Sequence, residues 1–215
     1  MMFSDLLKLT VITMLTKILN RFLYLVPTII SALPKSIGIC FAVAKFLNYE
    51  PRPMIEYIST LRRKDLIGAE VGVSKGINAK SMFDTIDIKC LHAVDPYVPF
   101  VDIRAGKFEE DNNKKVAFAL LKRKPVIWHI KTSVEASKEI KELLDFVYID
   151  ACHEYESVKQ DIESWFSLVK SGGIIGGHDF WEAEGYGVTR AVREFASKNK
   201  LRLTASYADW WVIKP

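Results

Sequence analysis

The run LRLTASYADWWVI, residues 201–213, decides the fold of this chain. Two β-like segments, Leu201–Tyr207 and Trp210–Ile213, are separated by only two residues. So short a connection can join only antiparallel strands, because a parallel crossover needs about a dozen residues or more. The sequence therefore predicts an antiparallel hairpin at the end of the chain.

Upstream of this hairpin, short β-rich runs alternate with amphipathic helical runs. The predicted strands are Leu66–Val71, Cys90–Asp95, Val126–Ile130, Phe146–Asp150 and Gly173–Gly177. The predicted helices span 77–86, 104–123, 134–144, 155–169 and 188–199. This alternation is typical of a doubly wound sheet. We therefore predict an α/β, Rossmann-like, mostly parallel seven-stranded sheet that ends in the C-terminal antiparallel hairpin.

The composition excludes several classes of protein. The chain has 215 residues, of which 49% are apolar and 26% charged, a balance that excludes disordered and fibrous chains. Its three cysteines, Cys40, Cys90 and Cys152, are too widely spaced for a disulfide framework or a zinc pattern. A reducing compartment is therefore favoured, and we expect a cytoplasmic protein, with membrane association through its first residues left open.

The charge is concentrated at the N-terminus. Residues 1–52 hold six basic and two acidic side chains, so this segment carries the whole net charge of +4. The balanced remainder excludes the usual kind of basic nucleic-acid-binding domain. Pro51 and Pro53 mark a boundary, which predicts an apolar, basic helical segment over 1–52 and a separate domain over 53–215.

Three roles remain open for the N-terminal segment. Its longest uncharged run, from Phe22 to Pro34, has thirteen residues and contains Pro27, whereas a spanning helix needs about 20. Recurring charges and the lack of a cleavage site disfavour a signal peptide. Apolar helices that pack on the α/β domain or on a second subunit are favoured. An interfacial helix on anionic membrane is the alternative, and a membrane-spanning helix is the least favoured.

Ligands of an open α/β sheet bind beyond the carboxyl ends of its strands. After the first strand, Gly72 and Gly76 would let the chain turn tightly towards a ligand, without the G-x-G-x-x-G or Walker A pattern, although such a turn can need glycine for structural reasons alone. Asp95 follows Gly72 by 23 residues, where an acidic side chain can accept hydrogen bonds from ribose hydroxyls, although it could simply cap a turn. Ser133 follows the third strand and could face an adenine or serve as a helix N-cap.

The tips of the fourth and fifth strands carry the strongest chemical signal. Asp150 ends one strand, His153 follows three residues later, and His178 and Asp179 end the next strand. Two carboxylates from neighbouring strands suit a hard divalent cation such as Mg²⁺. The alternative is turn capping together with a salt bridge to a lysine or arginine. His92 and His129 lie inside strands and are expected to be core or sheet residues.

These motifs resemble the class I SAM-dependent methyltransferases, and within them methyltransferase family 24, which includes the macrocin- and mycinamicin-type sugar O-methyltransferases. The resemblance covers about residues 55–215. It rests on Glu70-Val-Gly72 with Gly76, His92-Ala-Val-Asp95-Pro-Tyr97, Tyr148-Ile-Asp150-Ala-Cys-His153-Glu-Tyr155, Ser171-Gly-Gly173-Ile-Ile-Gly-Gly-His178-Asp179 and Gly185-Tyr-Gly-Val-Thr-Arg-Ala-Val.

The resemblance implies a role for each matching residue. Glu70, Gly72 and Gly76 would lie along the methionine part of S-adenosyl-L-methionine (SAM), Asp95 would hold the ribose, and Ser133 would lie by the adenine. Asp150 and Asp179 would bind the metal, with His178 where many relatives carry an acid. Asp150 would also lie beside the cofactor, and His153 would be the general base.

The implied reaction moves a methyl group from SAM to a hydroxyl of a sugar or glycosylated small molecule. A divalent cation, here Mg²⁺, would lower the pKa of that hydroxyl, and His153 would take its proton. Aromatic residues between Phe180 and Gly187 would cover the acceptor. The expected partners are therefore a small-molecule or sugar acceptor and no nucleic acid, and a homo-oligomer is left open.

Three other functions stay open. A methyltransferase that acts on a lipid-linked or membrane-near acceptor would use the cationic N-terminus. A non-catalytic SAM-fold binding protein would not need Asp95, Asp150, His153 and Asp179 together. A nicotinamide-dependent oxidoreductase is disfavoured by the missing G-x-G-x-x-G pattern and by the terminal hairpin.

Overall fold

A computed structural model describes residues 51–98, 101–102, 106–107, 110–181 and 187–215. The apolar helices expected in the N-terminal segment fall on residues 1–50 and lie outside the described residues. In the part of the chain that is described, no helix is both long and apolar enough to cross a membrane.

The described residues form strands and helices in regular alternation. The strands are β1 (Leu66–Val71), β2 (Ile88–Val94), β3 (Val101–Asp102), β4 (Gly106–Lys107), β5 (Val126–His129), β6 (Leu144–Ile149), β7 (Val169–Gly177), β8 (Thr204–Ser206) and β9 (Asp209–Ile213). The helices are α1 (Pro53–Thr60), α2 (Ile77–Thr85), α3 (Glu110–Leu120), α4 (Ser133–Glu139), α5 (Tyr155–Phe166) and α6 (Gly187–Lys198).

Seven strands form one sheet in the order β5-β2-β1-β6-β7-β9-β8. The pairs from β5 to β7 are parallel, whereas β9 is antiparallel to both β7 and β8. Both faces of the sheet are covered, which explains why its central strands β1 and β6 are buried along most of their length. The predicted fold class and its terminal hairpin are confirmed.

Two apolar cores flank the sheet and fix its layers. On one face, Trp165 of α5 and Val192 of α6 are fully buried against β6 and β7. On the other face, Met54 and Ile55 of α1 pack with Met82 of α2. Helices on both faces make the fold doubly wound.

The two largest corrections to the predicted elements lie before α3 and at α1. The helix predicted over 104–123 is α3, Glu110–Leu120, and two short strands, β3 and β4, pair antiparallel in the region before it. Gly106, a poor helix former, lies in β4. The sequence reading also missed α1, although Pro53 at its first turn is a common helix start.

Candidate active site

The glycine turn after β1 is packed directly on the tip of β6. Gly72 has a φ of 88°, and a Cβ at this position would lie 2.0 Å from the carbonyl oxygen of Asp150. The Gly72 amide donates to the Val94 carbonyl at 2.9 Å, and the Asp150 amide donates to the Val71 carbonyl at 2.7 Å. Only glycine combines this φ with so close an approach, so the turn joins the tips of three neighbouring strands.

Asp95, at the tip of β2, shapes the same turn. Its Oδ2 accepts the backbone amides of Val73 at 3.0 Å and Ser74 at 2.8 Å, and its Oδ1 accepts the amide of Tyr97 at 2.8 Å. A carboxylate offers about four acceptor positions, so one remains on Oδ1. The turn-capping alternative is therefore present, and there is still room for one hydrogen bond to a ribose hydroxyl.

Beneath the turn lies a buried polar cluster around Glu70. The Glu70 carboxyl is 1% exposed, and burial raises its pKa to about 8 despite the nearby Arg52 charge. Asn78 Nδ2 donates to its Oε1 at 2.8 Å. Glu70 Oε2, Asn78 Oδ1 and Ser81 Oγ are buried, and they have no hydrogen-bond partner among the residues that the structure describes. Unpartnered buried polar atoms are uncommon, so this cluster fits a polar ligand or water at the turn.

Asp150, His153 and Asp179 converge at the tips of β6 and β7. His153 Nε2 lies 3.0 Å from Asp179 Oδ2 and 4.0 Å from Asp150 Oδ1. One ligand atom from each of the three residues lies within 4.8 Å of the other two. Carboxylate oxygens and an imidazole nitrogen are suitable ligands for a divalent cation, so these residues could hold Mg²⁺.

The two carboxylates and the imidazole strongly perturb one another. Asp150 and Asp179 raise the pKa of His153 to about 10. Burial alone would raise the pKa of Asp179, but its hydrogen bond with His153 and the imidazole charge lower it to about 2. For Asp150, His153 and Arg52 likewise outweigh burial and lower the pKa. His153 is therefore an imidazolium at neutral pH when nothing else balances the carboxylates.

His178 points to a different partner from its neighbour Asp179. Its Nδ1 lies 2.8 Å from Oδ1 of Asp209, a residue that is fully buried at the start of β9. The three-residue cluster of ligand atoms contains His153 where the sequence analysis predicted His178. The ligand role of His178 thus stays a prediction, with one of its ring nitrogens already engaged by Asp209.

Sequence reasoning missed three residues that surround the cluster: Arg52, Tyr148 and Asp209. Arg52 Nη1 donates to Asp150 Oδ2 at 2.6 Å and to the Tyr148 hydroxyl at 3.0 Å. That hydroxyl in turn donates to Asp209 Oδ1 at 2.7 Å. The salt bridge to an arginine that was weighed as an alternative for Asp150 is thus present. In the sequence, the only signs of this network are the hydroxyl of Tyr148 within an apolar strand and the acidic residue Asp209 at the start of β9.

Ser133 is the first residue of α4, and its side chain contacts α5. Thr132, rather than Ser133, is the N-cap of α4, and it forms a capping box with Glu135. Ser133 Oγ accepts from Trp165 Nε1 at 2.8 Å and hydrogen-bonds Asp161, whose pKa burial raises to about 6. Because the Ser133 hydroxyl already forms hydrogen bonds with two residues of α5, its predicted contact with adenine stays a prediction.

The two strand histidines are buried, as expected of core or sheet residues. His92 Nδ1 and His129 Nε2 face each other at 2.9 Å, and His92 Nε2 lies 3.0 Å from Glu142 Oε1. His92 is 3% exposed and His129 9% exposed. Neither belongs to the cluster formed by Asp150, His153 and Asp179.

Comparison with known proteins places this site in a family. Residues 69–180, just over half of the chain, match the family model described as a methyltransferase domain. The match contains the glycine turn, Asp95 and the Asp150–His153–Asp179 cluster, whereas Arg52 and Asp209 lie outside it. No curated protein matches this sequence.

Several solved structures share the fold. An O-methyltransferase from Bacillus cereus in complex with SAH is 13% identical, with 84% of this chain and 90% of that chain covered and a TM-score of 0.54. The O-methyltransferase of tomaymycin synthesis from Streptomyces achromogenes, in complex with SAM, is 12% identical, with 75% and 78% covered and a TM-score of 0.53. An rRNA methylase from Streptococcus thermophilus is 11% identical, with 77% and 95% covered and a TM-score of 0.52. At such low identities these likenesses establish the fold and leave the substrate open.

Proposed function

Because the chain belongs to the methyltransferase domain family that its residues 69–180 match, we propose that this SAM-dependent methyltransferase methylates a hydroxyl of a sugar or glycosylated small molecule, as the macrocin-type enzymes do. The observation that carries the proposal is the Asp150–His153–Asp179 cluster beside the glycine turn. A base and two carboxylates at this place suit the deprotonation of an alcohol. We further propose that the reaction takes place in the cytoplasm.

The buried polar cluster and the turn would bind the cofactor. Glu70, Gly72 and Gly76 would line its methionine part, and the free acceptor position of Asp95 would take a ribose hydroxyl. SAM supplies a methyl group on a positively charged sulfur, which needs alignment with the acceptor more than activation. The residues around the turn therefore act chiefly by positioning.

Asp150 and Asp179 would hold a divalent ion such as Mg²⁺, with His153 next to them. Such an ion would lower the pKa of a bound alcohol and would fix the orientation of that alcohol. His153 can accept the hydroxyl proton near neutral pH only when another cation balances the two carboxylates, because they raise its pKa to about 10. The base role and the metal role are thus linked by electrostatics.

Trp181 offers a surface for the acceptor. Its side chain is 48% exposed, and its Nε1 donates to Asp179 Oδ1 at 3.2 Å. An exposed indole next to the two carboxylates offers a flat apolar face with a polar edge, on which a sugar ring can stack. This contact favours a sugar over a purely aliphatic acceptor.

Calorimetric titration with SAM, with and without Mg²⁺, tests the cofactor and the metal together. We expect SAM to bind, Asp95→Ala to lose most of that binding, and Asp150→Ala to abolish Mg²⁺ binding. Asp87→Asn, an exposed aspartate before β2 at the opposite edge of the sheet, is the control and should behave like the wild type.

The acceptor is then tested with radiolabelled SAM and a panel of sugars, glycosides, lipid-linked sugars and catechols. Label in the sugars or glycosides supports the proposal. Label only in lipid-linked sugars or only in catechols would replace the acceptor class, and the absence of SAM binding would overturn the proposal altogether.

A further inference from the structure

Arg52 places a permanent positive charge inside the candidate active site. Its Nη1 lies 2.6 Å from Asp150 Oδ2, and the two side chains are 18% and 21% exposed. Arg52 directly precedes α1 and lies outside the stretch that matches the family model. This charge is therefore supplied by a part of the chain other than the one that carries the family motifs.

The arginine is anchored on two sides. As the N-cap of α1, its carbonyl oxygen accepts the amides of Ile55 at 2.8 Å and Glu56 at 3.0 Å. The amide of Met54 donates to Asp209 Oδ2 at 3.1 Å, and Asp209 Oδ1 accepts the hydroxyl of Tyr148. The same hydroxyl accepts a hydrogen bond from Arg52 Nη1, and the guanidinium carbon lies 5.4 Å from the centre of the Tyr148 ring.

This anchoring is firm because the groups behind it are buried. Asp209 is fully buried, and burial raises the pKa of Tyr148 well above its usual value, so the phenol keeps its proton and donates to the carboxylate. Met54 and Ile55 are also fully buried beneath the sheet. Arg52 is thus held beside Asp150 by the fold and does not merely approach it from solvent.

The Asp150 carboxylate is divided between two neighbours. Oδ2 is bound to Arg52, and Oδ1 faces His153 Nε2 at 4.0 Å and belongs to the cluster of ligand atoms. Only the Asp150 carboxylate would separate a cation bound in the cluster from the positive charge of the Arg52 guanidinium. Like charges this close repel strongly where solvent is partly excluded.

We propose that Arg52 is a built-in counter-ion of Asp150, which competes with a divalent ion for this carboxylate and sets the metal affinity of the site. The inference rests on the divalent ion of the proposed function. It makes Arg52 a positioning residue that acts through Asp150. Metal binding is then coupled to the start of α1, because the arginine must move or share its carboxylate when the ion binds.

The test is a Mn²⁺ titration of the full-length protein, in which electron paramagnetic resonance measures the free ion. We expect Arg52→Gln and Arg52→Met to bind Mn²⁺ at least about tenfold more tightly than the wild type, since each removes one neighbouring positive charge. Arg52→Met keeps a long unbranched side chain without the charge, so it serves if the glutamine variant folds poorly. Arg52→Lys keeps the charge and should resemble the wild type.

Two controls separate charge at the site from charge in general. Arg63→Gln removes an exposed arginine that donates to the Gly172 carbonyl, far along β7 from Asp179, and should leave the affinity unchanged. Asp150→Asn should abolish binding. Thermal unfolding followed by circular dichroism verifies that each variant is folded.

Each result is decisive. Equal or weaker affinity in the neutral Arg52 variants, with binding still lost in Asp150→Asn, would overturn the counter-ion role but leave the metal site in place. No Mn²⁺ binding by any variant would overturn both the counter-ion role and the metal of the proposed function. The inference is supported if the two neutral Arg52 variants bind Mn²⁺ more tightly than the wild type while Arg52→Lys and Arg63→Gln do not.

Discussion

His153 Nε2 lies 3.0 Å from Asp179 Oδ2, and this contact controls the protonation of both side chains. The pKa of the imidazole rises to about 10 through Asp150 and Asp179, and that of Asp179 falls to about 2. An imidazolium and its neighbouring carboxylate therefore form an ion pair. In the proposed reaction, His153 could act as the base at neutral pH only after another cation or the substrate had opened this pair.

The first prediction concerns this ion pair. Asp179→Asn removes one of the two carboxylates and should lower the pKa of His153 by about 1 to 3. NMR titration of the imidazole carbon and nitrogen chemical shifts measures the pKa of His153 directly. The Asp87→Asn control should leave the His153 titration where it is in the wild type. An unchanged pKa in Asp179→Asn would show that the two side chains do not form the pair.

The same pair also gives stability a defined pH dependence. The pKa of His153 is raised from 6.5 to about 10 in the folded protein, so its stabilising contribution is fully present below pH 6.5. It is lost as the pH rises through about 10, because the unfolded chain releases this proton first. Urea unfolding of the wild type and His153→Gln between pH 6 and pH 10 should show the two stabilities converging as the pH rises.

A second prediction follows from the buried Glu70. Burial raises its pKa from 4.5 to about 8, so the folded protein holds a proton that the unfolded chain loses between these values. Stability should therefore fall as the pH rises from 4.5 to 8, with a slope of up to about 1.4 kcal/mol per pH unit from this residue. Glu70→Gln cannot ionise, so it should remove this part of the decline.

Urea unfolding at pH 5 and at pH 8 checks the prediction for Glu70. The exposed residue Glu56 on α1 provides the control, because Glu56→Gln should run parallel to the wild type. If Glu70→Gln also ran parallel, Glu70 would be charged within the fold, and the unpartnered atoms around it would need a different explanation.

The sequence predicted much of the sheet because its signals are local. The apolar run before Asp150 and the glycines before His178 specify strands and turns by themselves. The terminal hairpin was predictable because only antiparallel strands can follow so short a turn. The short pair β3 and β4 was missed, since two-residue strands leave almost no periodic pattern.

The site was only half predictable, for a physical reason. Asp150, His153 and Asp179 follow strand tips, which parallel topology brings together at one edge. Arg52 and Asp209 are far from them in sequence and meet them only through the packing of α1 and β9. The contact of Asp95 with the Ser74 amide and that of Ser133 with a tryptophan on α5 are likewise tertiary contacts that no spacing rule reveals.

A third prediction separates close packing from backbone strain at Gly72. Gly72 and Gly172 both have a positive φ, 88° and 73°, but a Cβ at Gly72 would meet Asp150 at 2.0 Å, whereas one at Gly172 would meet no described residue within 4 Å. Gly172→Ala should cost about 1 kcal/mol from strain alone. Gly72→Ala should cost about 1 to 3 kcal/mol more, because it also forces backbone to move.

Urea unfolding gives both free energies, and calorimetry with SAM gives the functional consequence. We expect Gly72→Ala to lose SAM binding and Gly172→Ala to keep it, since only the first alters the turn next to Asp150. Equal losses of stability in the two variants would mean that the turn tolerates displacement from β6.

The last prediction concerns the acceptor and rests on the proposed sugar substrate. Trp181 is half exposed, and its indole nitrogen donates to Asp179. Trp181→Ala removes both the ring and the donor, whereas Trp181→Phe keeps a ring and removes only the donor. Loss of a stacked ring costs about 0.5 to 1.5 kcal/mol, so Trp181→Ala should raise the KM for the acceptor about 2- to 12-fold. Trp181→Phe should keep a near-normal KM, and both variants should bind SAM as the wild type does. If both substitutions lowered kcat equally and left KM unchanged, the indole would act by orienting Asp179, and the sugar-stacking role would be wrong.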